Sequence, residues 1–532
     1  MRPTRRSSRR PCLSFAPASL RLSVGVGPIE NEQTTKTQPR YRATSPTTPA
    51  TDIYDWLVTV GYFPESYVLP PCFHVTKHPP YGTHFTQRTA RGFLPTLSQV
   101  CEVHFPKTEL TDRTFGILDP KLHNDIASEI AGGWTSLLDV LFNPAKRVYS
   151  YSFPIPMSKI TPGAIGGLRA GRMIYEWIEM VEEDLVEEAY AYKYLVRTDV
   201  KNYYPSVYTH SIAWAIHSRA VIRKGANRND YSFLGNRLDK LFQNANDGCT
   251  NGLPIGPAVS DLIAELILSA VDLVISPGLQ LAGVLALRFK DDYWFLCRTQ
   301  EDCKKVTKLL QKGLKDFNLL LNEDKTKVAI LPEGVFREWV SKYHAIRPKK
   351  KALLSFQQFR ELYLAVLRID QEVPGTGIID RFIADVTDAS YQPLFPVSTF
   401  HIEKTISLLL LMAERRIRSL PRILGLVEAM MIASSRASAT RAVERHLNNV
   451  LAEVSKEPDE NRYLISWLLY FLKSNGLTVK GPPSFADPIL TSIQSNTCNV
   501  FAGAKDFRLF RGVRAARRDG GQLKHLDVFK QQ

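Results

Sequence analysis

The sequence predicts an α+β fold, an antiparallel sheet with packing helices over residues 51–335, followed by an all-α domain over 336–532. Apolar runs of strand length alternate with helical stretches up to about residue 330, whereas beyond about 336 long helical periodicities take over. The first 50 residues have the composition of neither.

Residues 1–50 carry Arg2, Arg5, Arg6, Arg9, Arg10 and Arg21 among many Ser, Thr and Pro, with no acid before Glu30. Such a segment buries too little apolar surface to order itself and reads as a disordered basic arm. An organelle transit segment and a translation start placed too far upstream are alternatives. Globular composition begins at Thr51 with Tyr54, Trp56, Leu57, Tyr62 and Phe63. Residues 112–142 predict helix, and 149–156 alternate as an extended segment that Pro154 and Pro156 confine to a sheet edge. A packing helix over about 171–193 has Ile174, Trp177, Ile178, Val181 and Leu185 on one face. Further helices are predicted at 355–367, 401–417, 421–432, 439–454 and 461–474, the last closed by Gly476.

A chain of 532 residues predicts two or three packed units, and its 44% hydrophobic and 23% charged residues exclude a largely disordered or fibrous protein. The net charge of +15 favours a polyanionic partner, nucleic acid or an anionic membrane. Asp261, Glu265 and Asp272 interrupt the longest apolar run, so no membrane span is expected. Seven scattered cysteines without a CxxC pair indicate neither a zinc site nor a disulfide framework, which fits a reducing cytoplasm. Basic clusters at Lys349, Lys350 and Lys351, and over the last 28 residues from Lys505 to Lys530, could grip phosphates or simply be solvated.

Four segments carry the chemistry. In residues 195–206, LVRTDVKNYYPS, an apolar strand runs into Asp199 and breaks at a turn, a place from which an aspartate can ligate a hard cation; a turn or cap residue is the bland alternative. In 285–297, LALRFKDDYWFLC, two strand-like runs meet at Lys290, Asp291 and Asp292 and read as a β-hairpin. Paired carboxylates at such a tip repel each other, and a divalent cation would relieve the repulsion. Between them, NGLPIGP at 251–257 is a Gly and Pro loop opening a long apolar helix from about 258 to 274. Finally, NEDKTKVAI at 322–330 puts Lys325 ahead of a strand.

In this order, the segments resemble motifs A, B, C and D of the reverse transcriptase family, over roughly residues 110–335. The resemblance implies right-hand polymerase fingers and palm, with a helical C-terminal domain serving as a thumb or for oligomerisation. Asp199, Asp291 and Asp292 match the catalytic, metal-binding aspartates, and the Val200 carbonyl is a further ligand candidate. Tyr204 matches the aromatic that blocks a ribose 2′-hydroxyl, Gly256 belongs to the loop under the nascent base pair, and Lys325 matches the lysine near the leaving pyrophosphate. Arg169 and Arg172 are candidates for gripping the triphosphate. Two features depart from the family: Ile255 replaces the usual glutamine, and Lys290 the usual small or aliphatic residue.

Residues 61–65, 69–73, 203–211 and 254–257 resemble bacterial defence-associated reverse transcriptases of the abortive-infection and unknown-group lineages. The implied activity is RNA-directed or template-independent DNA synthesis from deoxynucleoside triphosphates with two Mg²⁺ ions, or Mn²⁺ in their place, in antiphage defence. Implied partners are RNA and/or DNA, a non-coding RNA or second reverse transcriptase, and a second copy in a homo-oligomer. The alternatives are an inert palm-fold scaffold that binds nucleic acid and a group II intron-like maturase.

Overall fold

The computed structural model describes residues 45–526 except 90–91, 108–110, 158–162, 166–169, 349–352, 398–400, 435–436, 483 and 519–520. The basic arm over 1–44, Arg169, Lys349, Lys350, Lys351 and Lys530 lie outside the described residues, as do the side chains of Arg172, Arg517 and Arg518.

Strands β1 (Phe73–Lys77), β2 (Gln87–Thr89), β3 (Gly92–Leu94), β4 (Cys101–Pro106) and β5 (Asp112–Ile117) precede the central sheet. The central sheet uses β6 (Val148–Ser150), β7 (Tyr194–Val200), β8 (Leu285–Phe289), β9 (Asp292–Cys297) and β10 (Leu321–Ile330), and β11 (Arg508–Phe510) lies near the C-terminus. The sheet runs β10-β7-β9-β8-β6. All its neighbours are antiparallel except β6 and β8.

Alternation of side chains decides what each face of this sheet meets. Val196, Val200, Ala286, Tyr293, Phe295 and Cys297 enter the large core built on the helices Ala258–Ala282 and Gln300–Asp316. Leu195, Leu285, Leu287 and Leu296 face the other way, into a smaller cluster with Tyr151, Trp177 and Val335. Asp199 and Asp292 share the parity of this second face, whereas Arg288 shares that of the first.

The segment expected to be helical from 112 begins instead as strand β5, pairing with β4 from Cys101↔Ile117 to Pro106↔Asp112, and helix starts only at Pro120–Gly132. Local sequence hid this because β5 buries only its last three residues, Phe115, Gly116 and Ile117, and its partner strand supplies the rest. The expected helix over 171–193 is Ala170–Glu179 and Leu185–Ala189, joined by a wider turn over Met180–Asp184. The loop over 251–257 opens a helix of 25 residues that runs past Pro277 to Ala282. Among the described residues no helix is long and apolar enough to cross a membrane.

C-terminal helices at Phe356–Glu372, Ile402–Arg415, Leu420–Ala433, Ala437–Val454 and Arg462–Ser474 follow the predicted periodicities, and Gly476 takes a positive φ of 69° after the last. The region is not wholly helical: β11 pairs with β1, Phe73 opposite Phe510. One hydrophobic core accordingly draws on both sides of residue 336, uniting Tyr62, Phe63, Phe105 and Phe115 with Phe359, Trp467 and Phe471.

Candidate active site

β7 and β9 are paired so that Asp199 stands directly opposite Asp292. Phe289 also pairs with Asp292, which leaves Lys290 and Asp291 as the two-residue turn of the β8–β9 hairpin. Lys290 adopts φ 52°, the left-handed region a tight hairpin turn of this length demands. The turn is tied back to β7 by the Val200 N–H donating to the Asp291 carbonyl at 3.2 Å. Pairing alone thus gathers three acidic residues from positions 199, 291 and 292 at one sheet end.

Their electrostatics are unfavourable as they stand. Asp199 is 5% exposed, and its Oδ1 has no hydrogen-bond partner. Asp291 is pushed up to about 7 by burial, then by the negative charges of Asp199 and Asp292. Asp292 is raised to about 6 by lost hydration and by Asp199, with Lys325 and Arg197 pulling the other way. The Lys325 ammonium donates to Asp199 Oδ2, from a side chain that is 65% exposed. The lysine expected ahead of a strand therefore lies within β10, where the ladder is irregular between Asn322 and Lys327, and its charge sits on a carboxylate.

These residues fit a divalent cation. Carboxylate oxygens suit a hard ion, the Asp199 Oδ1 lacks any donor, two neighbours hold protons abnormally tightly, and a lysine supplies positive charge in the meantime. Among the described residues no three His, Cys, Asp or Glu side chains are gathered closely enough to hold an ion already.

The remaining predicted residues surround this centre. Tyr204 donates from its hydroxyl to Asp261 Oδ1 at 2.6 Å, which fixes the ring against the helix Ala258–Ala282. Gly256 has φ 128°, and a Cβ built there would lie 2.9 Å from Pro64 Cγ. The loop around it is fastened by Gly116 N–H to the Ile255 carbonyl and by Ala258 N–H to the Gly61 carbonyl, both 2.7 Å. Glycine is needed here for close backbone packing as much as for any ligand.

A family model for "Reverse transcriptase (RNA-dependent DNA polymerase)" matches residues 152–357. The chain carries a reverse transcriptase domain. That match covers less than half of the chain. No curated protein sequence matches the chain. Among solved structures it is similar to apo telomerase from Candida tropicalis truncated from its C-terminal domain, at 14% identity over 47% of this chain and 52% of that one, TM-score 0.31. Another is the apo telomerase from Candida tropicalis at 12% identity, 73% and 70% coverage, TM-score 0.34. A third is telomerase from Candida albicans in complex with a TWJ fragment of telomeric RNA, at 10% identity, 70% and 64% coverage, TM-score 0.28. The chain spans about half the length of the first of these.

The reverse transcriptase domain holds a second ionic cluster that sequence reasoning missed. On the opposite face of the β8–β9 hairpin, Arg288 is 0% exposed and bridges Glu265 Oε2 and Asp272 Oδ2, each at 2.7 Å. It also donates 3.0 Å to the Lys290 carbonyl, in the turn beside Asp291. The Tyr293 hydroxyl adds 2.8 Å to Asp272, and the Ser150 hydroxyl 2.7 Å to Glu265. Burial tends to raise Glu265, but Arg288, Lys146 and the Ser150 hydrogen bond outweigh it and hold the carboxyl below its ordinary value. Glu265 and Asp272 read in the sequence only as breaks in an apolar run. Their seven-residue spacing, two turns on one helix face, was the available signal.

Proposed function

We propose that the chain synthesises DNA by two-metal nucleotidyl transfer, with Asp199, Asp291 and Asp292 as the metal-holding carboxylates and Val200 as a backbone ligand. The observation that carries this reading is the opposition of Asp199 and Asp292 across β7 and β9, with Asp291 at the adjoining turn and its carboxyl raised to about 7. When bound, divalent cations, Mg²⁺ or Mn²⁺, would supply the Lewis acidity that activates a 3′-hydroxyl and stabilises charge on the transferring phosphoryl group. Tyr204, braced by Asp261, sets a wall where a ribose 2′-hydroxyl would project and so favours deoxynucleotides. Lys325 is within reach of the same carboxylates and can move its charge to a leaving pyrophosphate once a metal replaces it on Asp199. Arg169 and Arg172 remain candidates for the triphosphate, and Gly256 for the nascent base pair.

The motif-level resemblance at residues 61–65, 69–73, 203–211 and 254–257 supports placement among bacterial defence-associated enzymes. An antiphage role in the cytoplasm, RNA-directed or template-independent synthesis, a non-coding RNA or second reverse transcriptase as partner, and homo-oligomerisation follow from that placement. The deciding experiment measures DNA synthesis with Mg²⁺ by purified protein. Activity is expected to vanish in Asp291→Ala and Asp292→Ala while nucleic-acid binding persists; equal synthesis by the variants refutes the site.

One observation favours a second reading. Lys325 already neutralises Asp199, which an inert palm-fold scaffold would also require. A metal-free and an Mg²⁺-loaded protein of equal thermal stability would support that scaffold.

A further inference from the structure

Away from the acidic centre, a cavity of about 350 Å³ is lined by Tyr208, His210, Trp214, Arg219, Arg223 and Arg228, among others. Three arginines border it with one carboxylate, Asp239. That carboxylate is already engaged on both oxygens, by His210 Nδ1 and by the Gln243 amide at 2.7 Å. A single carboxylate leaves at least two of the three arginine charges unbalanced. Arg219 lies 4.6 Å from the centre of the Trp214 ring and, among the described residues, reaches only a backbone carbonyl, that of Asp316, at 3.3 Å. Arg223 and Arg228 are exposed and have no ion-pair partner among the described residues. Like charges held together without a counter-ion are unfavourable, and a phosphate is the anion whose oxygens match guanidinium donors.

The surrounding backbone is built to hold these arginines rather than let them disperse. Asn236, which is buried, donates 2.7 Å to the carbonyls of both Asn227 and Asp230. Asn227 in turn donates 3.0 Å to the Val221 carbonyl. The loop bearing Arg223 and Arg228 is therefore strapped to the helix Leu234–Ala245 on one side and to Arg219–Ile222 on the other. The Tyr208 and Trp214 rings, 5.6 Å apart, close the apolar side of the cavity. Arginines with aromatic neighbours are the usual means of gripping a nucleotide by phosphate and base together.

We propose that this cleft is a second nucleotide-phosphate site, separate from the acidic centre, which takes either a phosphate of a passing single strand or a free nucleotide. Two binding arms on the full chain in EDTA, with no catalysis required, distinguish the sources. The first follows a labelled single-stranded RNA across a salt series with wild type, Arg223→Ser/Arg228→Ser and Arg223→Lys/Arg228→Lys. A strand phosphate predicts that the serine pair lowers the log–log salt slope by about 0.7, the value for one phosphate, while the lysine pair keeps it. The second titrates adenosine monophosphate against the change in tryptophan fluorescence, with Trp214→Phe as control. A free-nucleotide site predicts saturable binding that both the serine pair and Trp214→Phe remove. The proposal is overturned if the serine pair leaves slope and nucleotide binding as in wild type, or if the lysine pair loses them as fully as the serine pair.

Discussion

Replacing Arg288 by methionine keeps the apolar length of the side chain and removes the charge that two buried carboxylates share. Glu265 is 5% exposed and Asp272 0%, so neither can turn to water. Lys146 is the remaining cation within electrostatic reach, and its ammonium is spent on the Leu141 carbonyl and Ser269 hydroxyl. Breaking a buried ion pair by removing one partner costs about 3–5 kcal/mol. Loss of the charged donor to the Lys290 carbonyl adds about 1.5–3 kcal/mol, taken up locally by the turn that carries Asp291. Domains are stable by roughly 5–15 kcal/mol, so the palm should open far more often. Proteolysis of the transiently opened palm as a function of urea, without metal, reads this out. Arg288→Met should shift cleavage by at least about 3 kcal/mol, and Glu265→Gln/Asp272→Asn in the same chain should recover most of it by removing the stranded charges. A loss below about 1 kcal/mol, or no recovery in the triple variant, refutes the view that Arg288 neutralises this cluster and braces the hairpin from beneath.

Three further outcomes are expected. Asp291 holds its proton up to about 7 in the folded chain, so the folded state binds protons more tightly than the unfolded. The metal-free protein should therefore lose stability relative to Asp291→Asn as pH rises from about 4 to about 7, and Mg²⁺ should restore it; melting temperatures whose difference does not change with pH contradict the shift. Lys325→Ala should lower the Mg²⁺ concentration needed for half-maximal synthesis, because a competing cation leaves Asp199, while reducing the maximal rate by about 10² or more if the lysine serves the leaving group; an unchanged Mg²⁺ requirement denies the competition. Tyr204→Val should admit ribonucleotides roughly 10–200-fold better, whereas Tyr204→Phe keeps the ring and should lose only about 1 kcal/mol of stability with the Asp261 hydrogen bond. Competition between deoxy- and ribonucleotides in single-turnover assays separates the two.

The β8–β9 hairpin was legible because its signals are local. Two apolar runs flanking Lys290, Asp291 and Asp292 can pair with only a two-residue turn between them, and period-two alternation then fixes which side chains share a face. Asp199 was legible as a strand end, but that it stands opposite Asp292 is a statement of register, which no local window contains. The same limit hid β5 and β11, whose partners lie in β4 and in β1, the latter more than 430 residues away in sequence. Arg288 escaped notice for a different reason. A charged residue in a hydrophobic strand reads as an exception, and only its burial against Glu265 and Asp272, on a helix that looked merely apolar, turns it into a support.

The two faces of that hairpin carry similar ingredients arranged to opposite effect. Beneath it, Glu265 and Asp272 meet Arg288 and Lys146, so formal charge balances even though burial raises Asp272 and lowers Lys146, and hydroxyls from Ser150 and Tyr293 add further hydrogen bonds. Above it, three aspartates meet the largely exposed Lys325 and, at Asp292, Arg197, one buried oxygen has no donor, and two carboxyls keep protons they would ordinarily release. Balanced ionic clusters are what a fold needs for itself; an imbalance held in place by a balanced layer below is stable only with a ligand to complete it. Removing the imbalance should therefore stabilise the metal-free chain: Asp292→Asn is expected to raise its melting temperature, most at pH above about 6, and to abolish synthesis. An Asp292→Asn protein that melts lower without metal would place the acidic trio among ordinary structural residues and return the palm to a scaffold.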